Sequence, residues 1–482
     1  MKLRDLLRGI AVQEATADME LEIGAVAYDS RKVTPDSLFV AVSGFASDGN
    51  RFIPMAMEKG AAAVVTAKKP EQDIPYIIVE NDRLALALIG CNFYGRPAES
   101  LKLIGVTGTN GKTSVTWLLK QVLEHVEGCK AGLIGTMENR IGDLVIPTER
   151  TTPESFELQG LFAQMRDAGC KYAIMEVSSH AIALHRVGGV HFDVAAFTNL
   201  TEDHLDFHKT MEHYCDTKAE LFARCDAAVL NRDDDWFGRI SAKADCPMVT
   251  TSARGAAGLQ AKDVQLLSDG ISMNVLSYGE EISVKLPIPG RFTVYNVLTV
   301  LGIVKALGID LKLAAAALAN VQGVKGRIEV VPTPGKDYTV LIDYAHTPDG
   351  LENVLRSVRD FCKGRLIAVF GCGGDRDPIK RPIMGRIGVE LSDLAIITSD
   401  NPRTEDPEAI IRDIVAGVDA SMGNYEIIVN RRKAITFAMD IGEKDDIIIL
   451  AGKGHETYQE INGVKHHLDE REEVAAYLME KR

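Results

Sequence analysis

Leu103-Ile104-Gly105-Val106-Thr107-Gly108-Thr109-Asn110-Gly111-Lys112-Thr113-Ser114 decides the fold. An apolar strand runs into a glycine-rich turn that ends in Lys-Thr, and a helical run, Val115 to Leu123, follows. That order gathers backbone N–H groups and a helix N-terminus around one point, with Lys112 as a point charge and Thr113 as a hydroxyl ligand for Mg²⁺. It is a cradle for the phosphates of a nucleotide. The common phosphate loop has a further glycine at the position taken here by Val106, so this is a shortened variant, Gly-x-x-Gly-Lys-Thr.

Working outward, strands at Leu103 to Val106, Tyr172 to Val177, Val194 to Thr198 and Ala227 to Leu230 alternate with helices up to about residue 325, the pattern of a mostly parallel sheet covered on both faces. Before it, residues 1–98 alternate strand-like runs (Ser37 to Val42, Ala62 to Thr66, Tyr76 to Val79) with helix-like ones, and Gly95-Arg96-Pro97 punctuates the end. Beyond Gln322-Gly323-Val324-Lys325-Gly326 the alternation resumes with strands Thr339 to Asp343, Leu366 to Phe370, Leu394 to Thr398 and Ile447 to Leu450. The expectation is an α/β protein of three domains: 1–98; a central mononucleotide-binding, parallel-sheet ATPase domain at 99–325; and a Rossmann-like domain at 326–482. Gly371-Cys372-Gly373-Gly374 invites a dinucleotide reading, but Arg376 stands where the fingerprint needs its last glycine.

Composition narrows the function classes. A formal net charge of -14 argues against a general nucleic-acid surface. The eight cysteines are scattered without a C-x-x-C pair, as in a reducing compartment, and no stretch reads as a signal peptide or a membrane span. The expected location is the cytoplasm.

Two acid-and-histidine clusters follow central strands: Glu176-Val177-Ser178-Ser179-His180, and Asn199 through His204 to His208. Carboxylates and imidazoles at the C-terminal ends of parallel strands face the same crevice as the phosphate loop, where they could ligate Mg²⁺. The zinc-protease pattern His-Glu-x-x-His is absent. Lys218, in Asp216-Thr217-Lys218-Ala219-Glu220-Leu221-Phe222, reads on local pattern as a solvated surface lysine. In the last third, charge gathers at successive strand ends: Asp343-Tyr344-Ala345-His346, Asp375-Arg376-Asp377, Asp400-Asn401-Pro402-Arg403 and Lys453-Gly454-His455-Glu456. A crevice with two arginines and a glutamate suits a zwitterionic, amino-acid-like ligand.

Taken together with Tyr28-Asp29-Ser30-Arg31, Thr151-Thr152-Pro153-Glu154, Gly290 to Asn296 and Gly326-Arg327, these motifs resemble the Mur ligase family, in its diaminopimelate-adding branch. The resemblance implies an ADP-forming ligase that adds meso-2,6-diaminopimelate to UDP-N-acetylmuramoyl-L-alanyl-D-glutamate through an acyl phosphate, with ATP and Mg²⁺. It implies ATP contacts at Gly108, Thr109, Asn110, Gly111, Lys112, Thr113, Ser114, Asn296, Arg327 and Asp343. Ser30, Thr151, Thr152, Ser178 and Arg186 would touch the nucleotide-linked dipeptide, and Arg376, Asp400, Asn401, Pro402, Arg403, Gly452 and Glu456 the incoming amino acid. Thr113, Glu176, His204 and a carbamylated Lys218 would hold the metal, and Lys112, Lys218, His204 and Glu176 would be catalytic. The implied partners are small molecules, with no nucleic acid and no membrane insertion, and the implied state is a monomer. Leu184 stands where many of these relatives carry glutamine. The alternatives are a folylpolyglutamate synthase-like ligase, an L-lysine-adding relative, or a nucleotide switch that hydrolyses ATP without forming a bond.

Overall fold

The structure, a computed structural model, describes residues 1–44, 48–148, 150–419, 421 and 423–480. The chain is α/β with three sheet-built domains, and it divides into two compact units, Met1–Leu259 with Thr299–Ala314, and Gln260–Leu298 with Ala315–Arg482.

In the first unit, a small sheet runs in the order Val12–Ala15, Tyr76–Val79, Ala61–Thr66, Ser37–Val40, Ala25–Ala27. Only Val12–Ala15 is antiparallel. Leu38, Val40, Ile77 and Val79 on these strands pack against Ala85, Leu86 and Ile89 of the helix Asp82–Phe93, which Asn81 caps by accepting a hydrogen bond from the Leu84 N–H. The larger sheet orders its parallel strands Met248–Ser252, Cys225–Asn231, Phe192–Phe197, Lys102–Thr107, Cys170–Glu176, Lys130–Ile134. Lys102–Thr107 comes first in the chain and lies between Phe192–Phe197 and Cys170–Glu176, so the winding reverses there, and crevices open at the C-terminal ends of strands beside such a reversal. Lys102–Thr107, Cys170–Glu176 and Phe192–Phe197, whose C-terminal ends carry the motifs of the larger sheet, are neighbours in it.

The helix Lys112–Glu127 starts on Gly111 and ends on Gly128, both at positive φ. Its buried face, Val115, Leu118, Leu119, Val122 and Leu123, has the spacing of an amphipathic helix against a sheet. The sequence run Val115 to Leu123 is therefore the buried middle of a longer helix.

In the second unit the sheet order is Glu329–Val331, Thr339–Asp343, Ile447–Ala451, Leu366–Phe370, Leu394–Ile397, Tyr425–Ile427, parallel except for its first strand. Both faces are apolar, hence the unbroken runs of Ile, Leu, Val and Ala on the central strands. A hairpin, Tyr458–Ile461 with Val464–His467, stands apart from the sheet.

One ion pair lies wholly inside this unit. Arg431 Nη2 is 2.7 Å from Glu470 Oε1, both side chains are 0% exposed, and the same guanidinium donates to the Ala451 carbonyl at 2.9 Å. It ties the helices Arg431–Asp440 and Glu470–Glu480 to a central strand. Arg431→Met strands a buried carboxylate and should lower stability by about 3–5 kcal/mol, while adding Glu470→Leu should return most of it. Urea unfolding of the three proteins checks this; a single variant within about 1 kcal/mol of the parent would contradict it.

Candidate functional site

The phosphate loop takes its shape from the neighbouring strand end. The Thr109 N–H donates to the Asn199 carbonyl at 2.8 Å, the Asn110 N–H donates to Asn199 Oδ1 at 3.0 Å, and Thr198 Oγ1 donates to the Asn110 carbonyl at 2.6 Å. The Thr201 N–H closes the clamp on Thr109 Oγ1 at 3.0 Å. Gly108 sits at φ +146, and a Cβ there would lie 1.9 Å from Thr198 Oγ1, so only glycine fits. Lys112 folds over the loop and donates from Nζ to the Gly108 and Thr109 carbonyls, each at 2.8 Å.

Lys218 departs from its local reading. It lies on the buried face of the helix Met211–Ala219, is 1% exposed, and donates from Nζ to the Gly108 carbonyl at 3.0 Å. The pattern misleads because that helix buries Tyr214, Cys215, Thr217, Lys218 and Ala219 together, with the Lys218 ammonium 4.6 Å from the Tyr214 ring centre. Burial, reinforced by the Lys112 charge, pushes the Lys218 amine well below the usual lysine range.

Glu176 ends the strand Cys170–Glu176 and is 1% exposed. Its Oε1 accepts from Thr113 Oγ1 at 3.0 Å and from the Thr136 N–H at 2.9 Å, and its Oε2 accepts from Thr136 Oγ1 at 2.9 Å. The network continues through Thr136 Oγ1 to Thr151 Oγ1 at 3.0 Å, and through Thr152 Oγ1, which donates to the Glu176 carbonyl at 2.8 Å. Thr152 Oγ1 accepts from the Ser178 N–H at 3.1 Å, and the Thr152 carbonyl accepts from Arg186 Nη1 at 3.1 Å. Thr113, Glu176, Thr151, Thr152, Ser178 and Arg186, far apart in sequence, thus form one connected wall. Thr136 is the member that sequence reasoning missed, because a lone threonine after a strand carries no signal.

Four histidines gather beside this wall. His204 holds φ 54, with its ring centre 4.9 Å from that of His180. His208 is 1% exposed, and its Nε2 pairs with Ser179 Oγ at 2.8 Å. Burial, then the His180 and His213 rings, push the His208 imidazole down to about 4, so it is neutral at physiological pH. Ser30 lies in the small sheet's domain, buried, with Oγ 3.4 Å from Met55 Sδ.

In the second unit, Asn296 is buried. Asp343 accepts the Ile328 N–H at 2.8 Å and the Ala345 N–H at 2.9 Å, fixing the turn that carries Arg327, whose guanidinium lies 5.5 Å from the Tyr344 ring centre. Burial raises the Asp343 carboxyl, against the Arg327 charge. His346 is exposed, with Nδ1 2.8 Å from the Tyr344 carbonyl.

The charged strand ends of this unit also converge. Asn401 Nδ2 donates to Glu456 Oε2 at 2.8 Å, and Lys453, 0% exposed, donates to Asn401 Oδ1 at 3.0 Å. Asp400 Oδ1 accepts the Asn401 N–H at 2.7 Å, whereas its buried Oδ2 has no hydrogen-bond partner among the described residues. A Cβ on Gly452, at φ +118, would come within 2.7 Å of that oxygen. Arg403, at φ 51, donates from Nη1 to the Gly374 carbonyl at 2.8 Å and pairs with Glu460 at 3.5 Å. Arg376 is exposed. Pro402 is buried between Asn401 and Arg403.

Three family models match the chain in order: "Mur ligase family, catalytic domain" over residues 22–89, "Mur ligase middle domain" over 106–304, and "Mur ligase, glutamate ligase domain" over 326–454. A UDP-N-acetylmuramoyl-L-alanyl-D-glutamate–2,6-diaminopimelate ligase of Clostridium tetani is 48% identical over 488 residues, covering 100% of both chains. One of the same name from Clostridioides difficile is 45% identical over 98% of each. A solved structure bearing that ligase name superposes with a TM-score of 0.79 at 31% identity, covering 100% of this chain and 99% of the other. A Thermotoga maritima MurF ligase in complex with ADP shares the fold, with a TM-score of 0.62 at 18% identity over 95% and 98%. With three Mur ligase models matching in order and a relative 48% identical over its full length, the chain belongs to the Mur ligase family.

Proposed function

We infer that the protein is an ATP-dependent, ADP-forming ligase that adds meso-2,6-diaminopimelate to UDP-N-acetylmuramoyl-L-alanyl-D-glutamate in the synthesis of peptidoglycan precursors. The observation that carries this reading is the hydrogen-bonded path from the phosphate loop through Glu176 to Thr152, Ser178 and Arg186, along which a phosphoryl donor and a peptide carboxylate would lie side by side. We assign residues 1–98 to the nucleotide-sugar end of the substrate, with Ser30 as a contact, 99–325 to ATP and the dipeptide, and 326–482 to the incoming amino acid. The protein acts on small molecules as a monomer in the cytoplasm in this reading, and among the described residues no helix is long and apolar enough to cross a membrane.

An amine does not displace the oxygen of a free carboxylate at neutral pH, so the carboxylate is activated first. The γ-phosphoryl group of ATP passes to the D-glutamyl γ-carboxylate, the amine of diaminopimelate attacks the acyl phosphate, and phosphate leaves with formation of the amide. Lys112 and the N–H groups opening the helix Lys112–Glu127 take up the phosphoryl charge as it develops. Among the described residues no group of three or more His, Cys, Asp or Glu forms a metal cage. Mg²⁺ binds through one or two carboxylates together with substrate phosphates, and the hard oxygens of Glu176 and Thr113, 3.0 Å apart at the loop, would fit it. Thr113, Glu176, His204 and a carbamate on Lys218 would hold the ion, which when bound neutralises phosphate charge. His208, buried on Ser179, is the least accessible of the histidines at 204, 208 and 346 for accepting the amine's proton.

Lys112→Ala should cost at least about 10²-fold in kcat and leave the fold intact; near-normal turnover of the pure variant would remove the loop from the mechanism. Lys218 as a neutral amine can add carbon dioxide, forming an N–C bond and releasing one proton, which turns a buried cation site into an anionic oxygen ligand. Lys218→Ala should be nearly inactive and partly restored by acetate. An unmodified amine at Lys218 in active enzyme, by native mass or density, would contradict the carbamate.

Diaminopimelate and L-lysine differ by one distal carboxylate, and the Arg403 guanidinium offers the planar donor pair that a carboxylate fits. Lysine lacks the carboxylate that this donor pair would bind and leaves Arg403 with only the Gly374 carbonyl and Glu460, so kcat/KM should favour diaminopimelate by about 10⁴-fold. Arg403→Ala should lose most of the activity, and Arg403→Lys should not restore it. Use of lysine within about tenfold of diaminopimelate would sink the acceptor assignment.

A further inference from the structure

The two loops that carry the charged motifs Asp375-Arg376 and Asp400 to Arg403 follow neighbouring parallel strands, Leu366–Phe370 and Leu394–Ile397, and they are tied to each other. The Gly374 N–H donates to the Asn401 carbonyl at 2.9 Å, and Arg403 Nη1 donates to the Gly374 carbonyl at 2.8 Å. A Cβ on Gly374 would lie 2.0 Å from the Pro402 carbonyl oxygen, so only glycine lets the loops approach this closely. Asp375 completes the tie by accepting the Thr404 hydroxyl at 2.7 Å and the Thr404 N–H at 3.2 Å.

Each loop contains one non-glycine residue in the left-handed region, Asp375 at φ 54 and Arg403 at φ 51. That conformation is unfavourable for a residue with a Cβ, and it persists only where the surroundings over-determine it. One strained position adjoins Arg376, and the other is Arg403 itself.

Arg381, near the start of the helix Lys380–Leu391 and 3% exposed, joins the two loops from inside the fold. Its Nη2 donates to Glu405 Oε1 at 2.8 Å, and that same oxygen accepts the Asp375 N–H at 2.5 Å. Its Nη1 donates elsewhere, to Asp413 Oδ2 at 2.8 Å on the helix Pro407–Val415. The buried Arg381 Nε has no hydrogen-bond partner among the described residues. A guanidinium kept out of water with one donor unsatisfied is a poor source of stability, and its two carboxylates, 33% and 50% exposed, do not need it for burial. Its geometry suits fixing a position more than adding stability.

We propose that Arg381 is a positioning residue for acceptor selectivity: acting through Glu405, it locks the loop of Asp375 against that of Arg403 and so presents the Arg403 guanidinium to the distal carboxylate of the acceptor. This rests on the reading of the chain as a diaminopimelate-adding ligase. Arg381 touches neither acceptor nor nucleotide in this account, and its influence reaches only the part of the acceptor that L-lysine lacks.

Steady-state ADP release with meso-diaminopimelate and with L-lysine, at saturating ATP and UDP-N-acetylmuramoyl-L-alanyl-D-glutamate, tests the proposal. Arg381→Met should lower kcat/KM for diaminopimelate by about tenfold or more, mostly through KM, and leave that for lysine within about twofold, because a misplaced Arg403 forfeits only a carboxylate contact. KM for ATP should not move. Glu405→Ala should shift the ratio of the two acceptors by a similar factor, and the double variant by no more than either alone, since both break one tie. Arg381→Lys should recover part of the selectivity, because its ammonium can still meet Glu405 without the fork. Asp413→Asn cuts the other bond of the same guanidinium and should leave the ratio within about twofold. Equal loss for both acceptors in Arg381→Met, additive losses in the double variant, or a comparable shift in Asp413→Asn would make Arg381 a structural brace and overturn the proposal with the ligase reading intact. A parent enzyme that uses neither acceptor, or does not prefer diaminopimelate, would overturn the underlying reading and the proposal together.

Discussion

The buried carboxylate of Glu176 is the interaction on which the rest of the site depends. It satisfies two hydroxyls and one backbone N–H at once, and its own carbonyl takes the Thr152 hydroxyl. A carboxylate so buried is tolerated only when it is fully hydrogen-bonded, and each donor it recruits is thereby fixed in place. Thr113 belongs to the phosphate loop, Thr136 follows the next strand over, and Thr152 opens the peptide wall. In the proposed reaction, this one carboxylate at the end of a central strand would couple the site of phosphoryl transfer to that of carboxylate binding.

A similar economy governs the charged strand ends of the second unit. Asn401 bridges the buried Lys453 and the partly buried Glu456, which also pair directly at 3.3 Å. Asp400 keeps one buried oxygen without a hydrogen-bond partner among the described residues, beside a glycine that leaves it room. Such an atom costs free energy in the resting fold, and a ligand ammonium would repay it. In the proposed reading, Arg403 and Asp400 would be the two charges that meet a zwitterionic acceptor.

Much of this was legible in the chain. The switch from strand to helix around Gly108 to Thr113 located the crevice, and the alternation of apolar runs fixed the class of fold, since buried parallel strands and amphipathic helices leave separate periodicities. Lys218 was not legible. Its helix reads as amphipathic, but the face that carries it packs against the phosphate loop, a tertiary fact that no local window holds. Thr136 escaped for the same reason, since its partner Glu176 lies far away in sequence. Glu176 and Arg403 stood at strand ends, where polar groups in an α/β fold are exposed to the crevice, and could be singled out.

The central claim is that the chain activates a peptide carboxylate by phosphorylation next to the Glu176 wall. Its most direct test labels the D-glutamyl γ-carboxylate with heavy oxygen and follows both ADP and phosphate by mass. The account predicts that ADP release requires the dipeptide and the amino acid, and that one labelled oxygen appears in each phosphate released. Unlabelled phosphate, or ADP release that proceeds with ATP alone at the same rate, would contradict it.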